Sequence, residues 1–159
     1  MAAAVRQYED AGGVVVLSGS QDGKPFSTPV ATAWAVGEKV FVSNAHVVQP
    51  VAEGLGKGLQ AFIVLNKNPD KRFRVVAAVP HPNYGKELVN MDGKSAAVPP
   101  YDIGIFRVED RAPRTLRVAS ASKLRRVDSG YRVAYLGFPM ENMVLGGVDV
   151  HRPVANMQS

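Results

Sequence analysis

The chain predicts an all-β fold, and three observations carry that expectation. Apolar runs rich in Val, Ile and Phe recur at short intervals and are bounded by Gly, Pro, Asn or Asp, the signature of strands separated by turns. Among 159 residues, 15 glycines and 11 prolines favour short elements over long helices. A hydrophobic content of 46% against 21% charged residues supplies a core and argues against disorder.

In order, the runs are "VVVL" at 14–17, "TPVATAWAV" at 28–36, "KVFVSNA" at 39–45, "LQAFIVLN" at 59–66, "FRVVAAV" at 73–79 and "DIGIFRV" at 102–108. Between the second and third, "GEK" reads as a tight hairpin with Gly37 able to take positive φ. Trp34 and Phe41 fall in alternating strands and are expected in the core. Only the segment around "PVAEGLGKG" offers a helical turn, which its glycines keep short. Six antiparallel strands with short turns can close into a small barrel, which removes exposed edges.

The stretch at 80–101 is long, polar and turn-rich and reads as a surface loop. Residues 109–130 carry charge runs and Ser/Ala stretches and read as an ordered, exposed connection. Two further apolar strands, at 131–138 and 143–150, follow it.

Composition removes several function classes. With no cysteine, disulfides, a thiol nucleophile and a thiolate metal site are excluded. Three histidines without an i, i+4 pair make zinc binding a poor expectation, and no cofactor or metal is expected. The net charge of +5 is scattered through turns and the connection without interleaved aromatic platforms, so no nucleic-acid partner is expected. No apolar run is long enough to cross a bilayer as a helix, and the amino-terminal residues do not read as an intact secretory signal, so no membrane partner is expected. The compartment stays open between periplasmic or secreted and cytoplasmic.

His46 lies in "VSNAHVV", directly after a strand pattern. Taken alone, such a histidine is most simply a partly buried ring with hydrogen-bonded nitrogens. A functional role requires a partner that orients the ring and a nucleophile for it to activate. Asp102 opens the strand "DIGIFRV" and is either a turn residue capping the loop or the orienting carboxylate. His81, between two prolines, reads as loop packing or a solvent-facing group, and His151 has no apolar frame. Ala45 reads as a small packing residue and Asn44 as a polar strand end.

"VSNAHVV" resembles the histidine motif of trypsin-like, chymotrypsin-fold serine proteases, closest in style to cysteine-free bacterial and Do/HtrA-like members. "PYDIGIFRV" resembles the aspartate motif of the same family, "VPHPNYG" the His-Pro segment that precedes it, and "VAYLGFP" the start of its second barrel. The resemblance implies a double β-barrel, with a complete first barrel at 12–108, an inter-barrel connection at 109–130 and an incomplete second barrel at 131–159. It also implies catalytic roles for His46 as general base and Asp102 as its orienting carboxylate, with a protein or peptide as substrate.

The family's third member is missing. No Gly-x-Ser-Gly-type turn is present: "SGSQDG" at 18–23 falls in the first hairpin, and Ser129 in "DSG" reads as a turn with Gly130 at positive φ. The expectation is therefore a serine endopeptidase whose nucleophile lies on a missing or separately cleaved carboxy-terminal part, the 159-residue chain alone being inactive. Such a fragment would complete the second barrel. The alternative is a catalytically inactive trypsin-like scaffold that binds proteins.

Overall fold

The computed structural model describes residues 8–65, 70–86, 100–128, 130, 135–138 and 156–158. After a single 3-10 turn at Glu9–Ala11, strands β1 (Gly12–Gln21) and β2 (Lys24–Gly37) form a long hairpin. Its two-residue turn has positive φ at both Asp22 (52°) and Gly23 (75°), the geometry that matches the twist of the flanking strands. Strands β3 (Val40–Ser43), β4 (Gln60–Leu65), β5 (Arg72–Pro80) and β6 (Gly104–Val108) complete a closed antiparallel barrel in the order β1-β2-β3-β6-β5-β4. Pairing of β1 with β4, from Gly13↔Leu65 to Ser18↔Gln60, shuts the ring and removes the edges of an open sheet.

Period-two alternation decides what fills the barrel. Ala31, Ala33 and Ala35 of β2 point inward, and their small side chains leave room for the buried rings of Phe41, Phe73 and Phe106. The Phe41 and Phe73 rings are tilted at 50° with centroids 6.0 Å apart, a favourable aromatic arrangement. Phe41 is thus a core residue as expected, whereas Trp34 is not. Trp34 alternates with Ala33 and Ala35, is only partly buried, and lays its ring over the backbone of Gly12, where an added Cβ would sit 2.7 Å from it. The hairpin turn at Glu38–Lys39 also differs in detail. Gly37 does not take positive φ, because a register shift between Ala35 and Gly37 absorbs the bend.

The expected all-β, trypsin-like double barrel is corrected on two counts. First, residues 45–56 form a helix, α1 (Ala45–Gly56), where the sequence suggested the end of a strand followed by a short turn. Ala45, Val48, Val51 and Gly54 recur every third residue and are all buried, with Val48 and Val51 joining the barrel core. That burial overrides the poor helix propensity of two adjacent valines and of Pro50. The helix ends on Gly58 at φ 87°, with Leu59 N–H donating to the Gly54 carbonyl and Gly58 N–H to that of Leu55, a Schellman closure. A second, one-turn helix, α2 (Ala121–Leu124), is capped by Ser120, whose Oγ accepts from the Lys123 N–H.

Second, the described residues contain one barrel and no second. In its place β7 (Tyr135–Gly137) and β8 (Asn156–Gln158) pair antiparallel as a two-stranded ribbon. Phe138 explains where the apolar character of this stretch goes: it is 5% exposed and packs with Val14, Val16 and Val64 on the outside of the first barrel. Its N–H donates to Thr32 Oγ1 at 2.8 Å. Residues 131–134 and the expected strand at 143–150 lie outside the described residues, as do most of the loop at 80–101 and His151.

The 109–128 segment is largely exposed and is tied to the barrel by Ala112 N–H to Glu38 O and Leu116 N–H to Ala35 O, both at 2.7 Å. Among the described residues no helix is long and apolar enough to cross a membrane.

Candidate functional site

The site is assembled where β3 runs into α1 and where the chain enters β6. Ser43 Oγ donates to the Thr32 carbonyl at 2.7 Å and anchors the end of β3 to β2. Asn44 follows in extended conformation (φ −72°, ψ 143°) and is the N-cap of α1, its carbonyl accepting from Val47 and Val48 N–H. A capping asparagine normally turns its own side chain onto the first helical amides. Here it makes no such bond. Its Nδ2 instead donates to Asp102, at 3.2 Å to Oδ2 and 3.3 Å to the backbone carbonyl.

Asp102 performs the capping from across the fold. Its Oδ1 accepts from the His46 backbone N–H at 2.9 Å, satisfying an amide of the first turn and placing negative charge at the positive end of the helix. Its Oδ2 lies 2.7 Å from His46 Nδ1. The two residues that the motifs singled out, 56 positions apart in sequence, are therefore joined by two hydrogen bonds, one to the backbone and one to the ring. With the carboxylate accepting at Nδ1, the neutral imidazole carries its proton there and leaves Nε2 as an acceptor.

Close packing brings the two elements together. A Cβ added to Gly104 would lie 2.9 Å from Val48 Cβ, so α1 rests directly on the backbone of β6 two residues beyond Asp102. Ala45 is wholly buried beneath the same helix end.

Partial burial pushes the Asp102 carboxyl upward, but it is outweighed by the hydrogen bonds from the His46 backbone and ring, the charge interaction with the imidazole and the Asn44 amide. The result is a carboxyl held below its ordinary range. The side chains are 58% exposed for His46 and 27% for Asp102, so the aspartate is the more covered of the two and the outer face of the imidazole is open.

Other sequence candidates are elsewhere. Ser18, in the first hairpin, shares a hydrogen bond with Ser27 at 3.0 Å. Ser129 lies outside the described residues, while its neighbour Gly130 has φ 87°, as its turn reading required. His81 stacks on Tyr101 with ring centroids 4.7 Å apart. Among the described residues no hydroxyl hydrogen-bonds the His46 ring, and no three His, Cys, Asp or Glu side chains gather as a metal site.

Sequence reasoning treated Asn44 as a polar strand end and missed it as a donor to Asp102. The signal was present, an asparagine immediately before apolar residues spaced by three, which is a helix start. Compared with known protein-family models and with curated proteins, the chain has no match. The likeness to the trypsin-like family therefore rests on the sequence motifs quoted above.

Proposed function

We propose that this chain carries the general-base half of a serine endopeptidase. The observation that supports this reading is the 2.7 Å contact between His46 Nδ1 and Asp102 Oδ2, made by a carboxylate whose other oxygen is tied to the first turn of α1. That arrangement restricts both the tautomer and the orientation of the imidazole, which are what a general base needs.

In the proposed reaction a serine from outside the described residues gives its hydroxyl proton to His46 Nε2 as its oxygen attacks the scissile carbonyl carbon. The imidazolium then returns that proton to the leaving amine as the C–N bond breaks, and an acyl-enzyme remains. Water repeats the sequence: it gives a proton to Nε2 as its oxygen attacks the acyl carbon, and the imidazolium returns that proton to the serine oxygen as the ester C–O bond breaks, releasing the carboxylic acid. Asp102 stays ionised throughout and stabilises the imidazolium.

The test uses the protein expressed from its complete reading frame, with an unfolded protein as substrate and an organophosphonate as a serine probe. Replacing His46 with Ala should abolish both turnover and labelling. Unchanged turnover in His46→Ala refutes the assignment.

A second reading is favoured by the exposed His46 ring and by the lack of a hydroxyl partner among the described residues: a scaffold that binds protein segments without cleaving them. It predicts no phosphonate labelling of the complete protein.

A further inference from the structure

The backbone that presents Asp102 is unusual on both sides of the carboxylate. Tyr101 has φ 60°, a left-handed conformation that a bulky side chain rarely adopts. Ile103 N–H then donates to the Tyr101 carbonyl at 2.7 Å, closing a three-residue turn with Asp102 at its centre. Such a turn needs support from its surroundings, and Tyr101 is half exposed.

The support comes from His81. Its ring lies nearly parallel to that of Tyr101, with an interplanar angle of 5° and centroids 4.7 Å apart. Its backbone N–H donates to the Ile103 carbonyl at 2.9 Å, which carries the β5–β6 pairing one step beyond Pro80↔Gly104. One residue thus holds the chain immediately before and immediately after Asp102. His81 is itself fixed: Asn83 N–H donates to its Nδ1 at 3.2 Å, and Tyr84 N–H donates to its carbonyl at 2.9 Å across a turn with Pro82 in its second position.

We propose that His81 is a positioning residue for the His46–Asp102 pair, its ring stacked on Tyr101 to hold the left-handed Tyr101 backbone that leads into the turn aiming the Asp102 carboxylate at His46. The proposal deepens the endopeptidase reading by naming what orients the orienting residue. It excludes His81 as a rival base, because its Nδ1 already accepts from a backbone amide and its face is covered by the tyrosine ring.

The test reads the pair directly by NMR on the 159-residue chain, without relying on turnover. The readouts are the downfield His46 Nδ1 proton and the titration of the Asp102 carboxyl carbon, with Asp102→Asn as the control that removes both. Barrel-core methyl resonances report whether each variant is folded. With the core spectrum retained, His81→Ala and Tyr101→Ala, which keeps the Cβ at the left-handed position but removes the stacking ring, should lose the Nδ1 proton signal to exchange with water and move the Asp102 midpoint upward, toward an ordinary carboxylate. His81→Phe, which keeps a flat ring for stacking, should preserve both readouts.

Retention of both signals in His81→Ala overturns the proposal. So does a His81→Phe variant that is folded but behaves like alanine, since stacking is then not the operative contact. A barrel that unfolds in both His81 variants assigns the residue to folding and also overturns it. If parent and control lack any difference in the Nδ1 signal, it is the His46–Asp102 pairing itself that fails. Absence of peptidase activity in the parent protein, with these NMR outcomes as expected, refutes only the endopeptidase reading.

Discussion

Replacing Gly104 with alanine should separate the elements that carry His46 and Asp102. The added Cβ would sit 2.9 Å from Val48 Cβ, 2.9 Å from Cγ2 and 3.0 Å from Cγ1. Because the Val48 Cβ itself is in the way, rotating the side chain does not clear the contact, and α1 must lift off β6. Forcing extra volume into a packed contact costs about 1–3 kcal/mol. Gly→Ala restricts the unfolded chain and returns roughly 0.4–1 kcal/mol. The net expectation is a loss of about 1–2 kcal/mol in urea unfolding.

A companion change isolates the cause. Val48→Ala removes two wholly buried methyl groups and should cost about 2 kcal/mol alone. Combined with Gly104→Ala it removes two of the three clashing atoms, so the double variant should be more stable than the sum of the single losses predicts, by about 0.5–1 kcal/mol. The Gly104→Ala protein should also show a weakened His46 Nδ1 proton signal that recovers only in part in the double variant, because the Cβ of residue 48 remains. A Gly104→Ala protein as stable as its parent, or strict additivity in the double variant, refutes the close-packing argument.

The Asp102 carboxyl titrates below its ordinary range, so it binds a proton less readily folded than unfolded. Its contribution to stability is therefore complete above the unfolded value of about 3.9 and is lost as pH falls through the depressed native value. In acid titrations followed by circular dichroism, Asp102→Asn should be less stable than the parent at neutral pH, with the difference shrinking across that acidic window. A gap that is constant with pH would contradict the stated cause. Phe41→Ala empties a wholly buried site beside Phe73 and should destabilise by about 3–5 kcal/mol in urea titrations. Trp34→Ala, on the outer face, should cost clearly less in the same assay. Stoichiometric organophosphonate labelling at any of the described serines, such as Ser18, Ser43 or Ser120, would overturn the proposal that the nucleophile lies outside the described residues.

Local pattern determined much of this protein. Six runs of β-branched and aromatic residues became six strands, and their turn-bounded spacing pointed to a closed barrel, because alternation of inward and outward side chains is written residue by residue. The motifs around His46 and Asp102 named the pair that comes together, and Gly130 took the positive φ its turn reading required. Other features depended on contacts that no local pattern records. Residues 45–56 have weak helix propensity and became helical because every third side chain could be buried against the barrel. Alternation alone could not say which face of β2 was inner; the fit of three small alanines around Phe41, Phe73 and Phe106 put Trp34 outside. The apolar Phe138 read as the start of another barrel, yet it covers Val14, Val16 and Val64 of the first. Asn44 became a donor to Asp102 because a carboxylate 58 residues away took over the helix cap, and Tyr101 took its left-handed backbone conformation where His81 could stack on it. Propensity and period act within a few residues, whereas these outcomes were decided by side chains brought together from distant parts of the chain, whose burial and hydrogen bonds outweigh local preference.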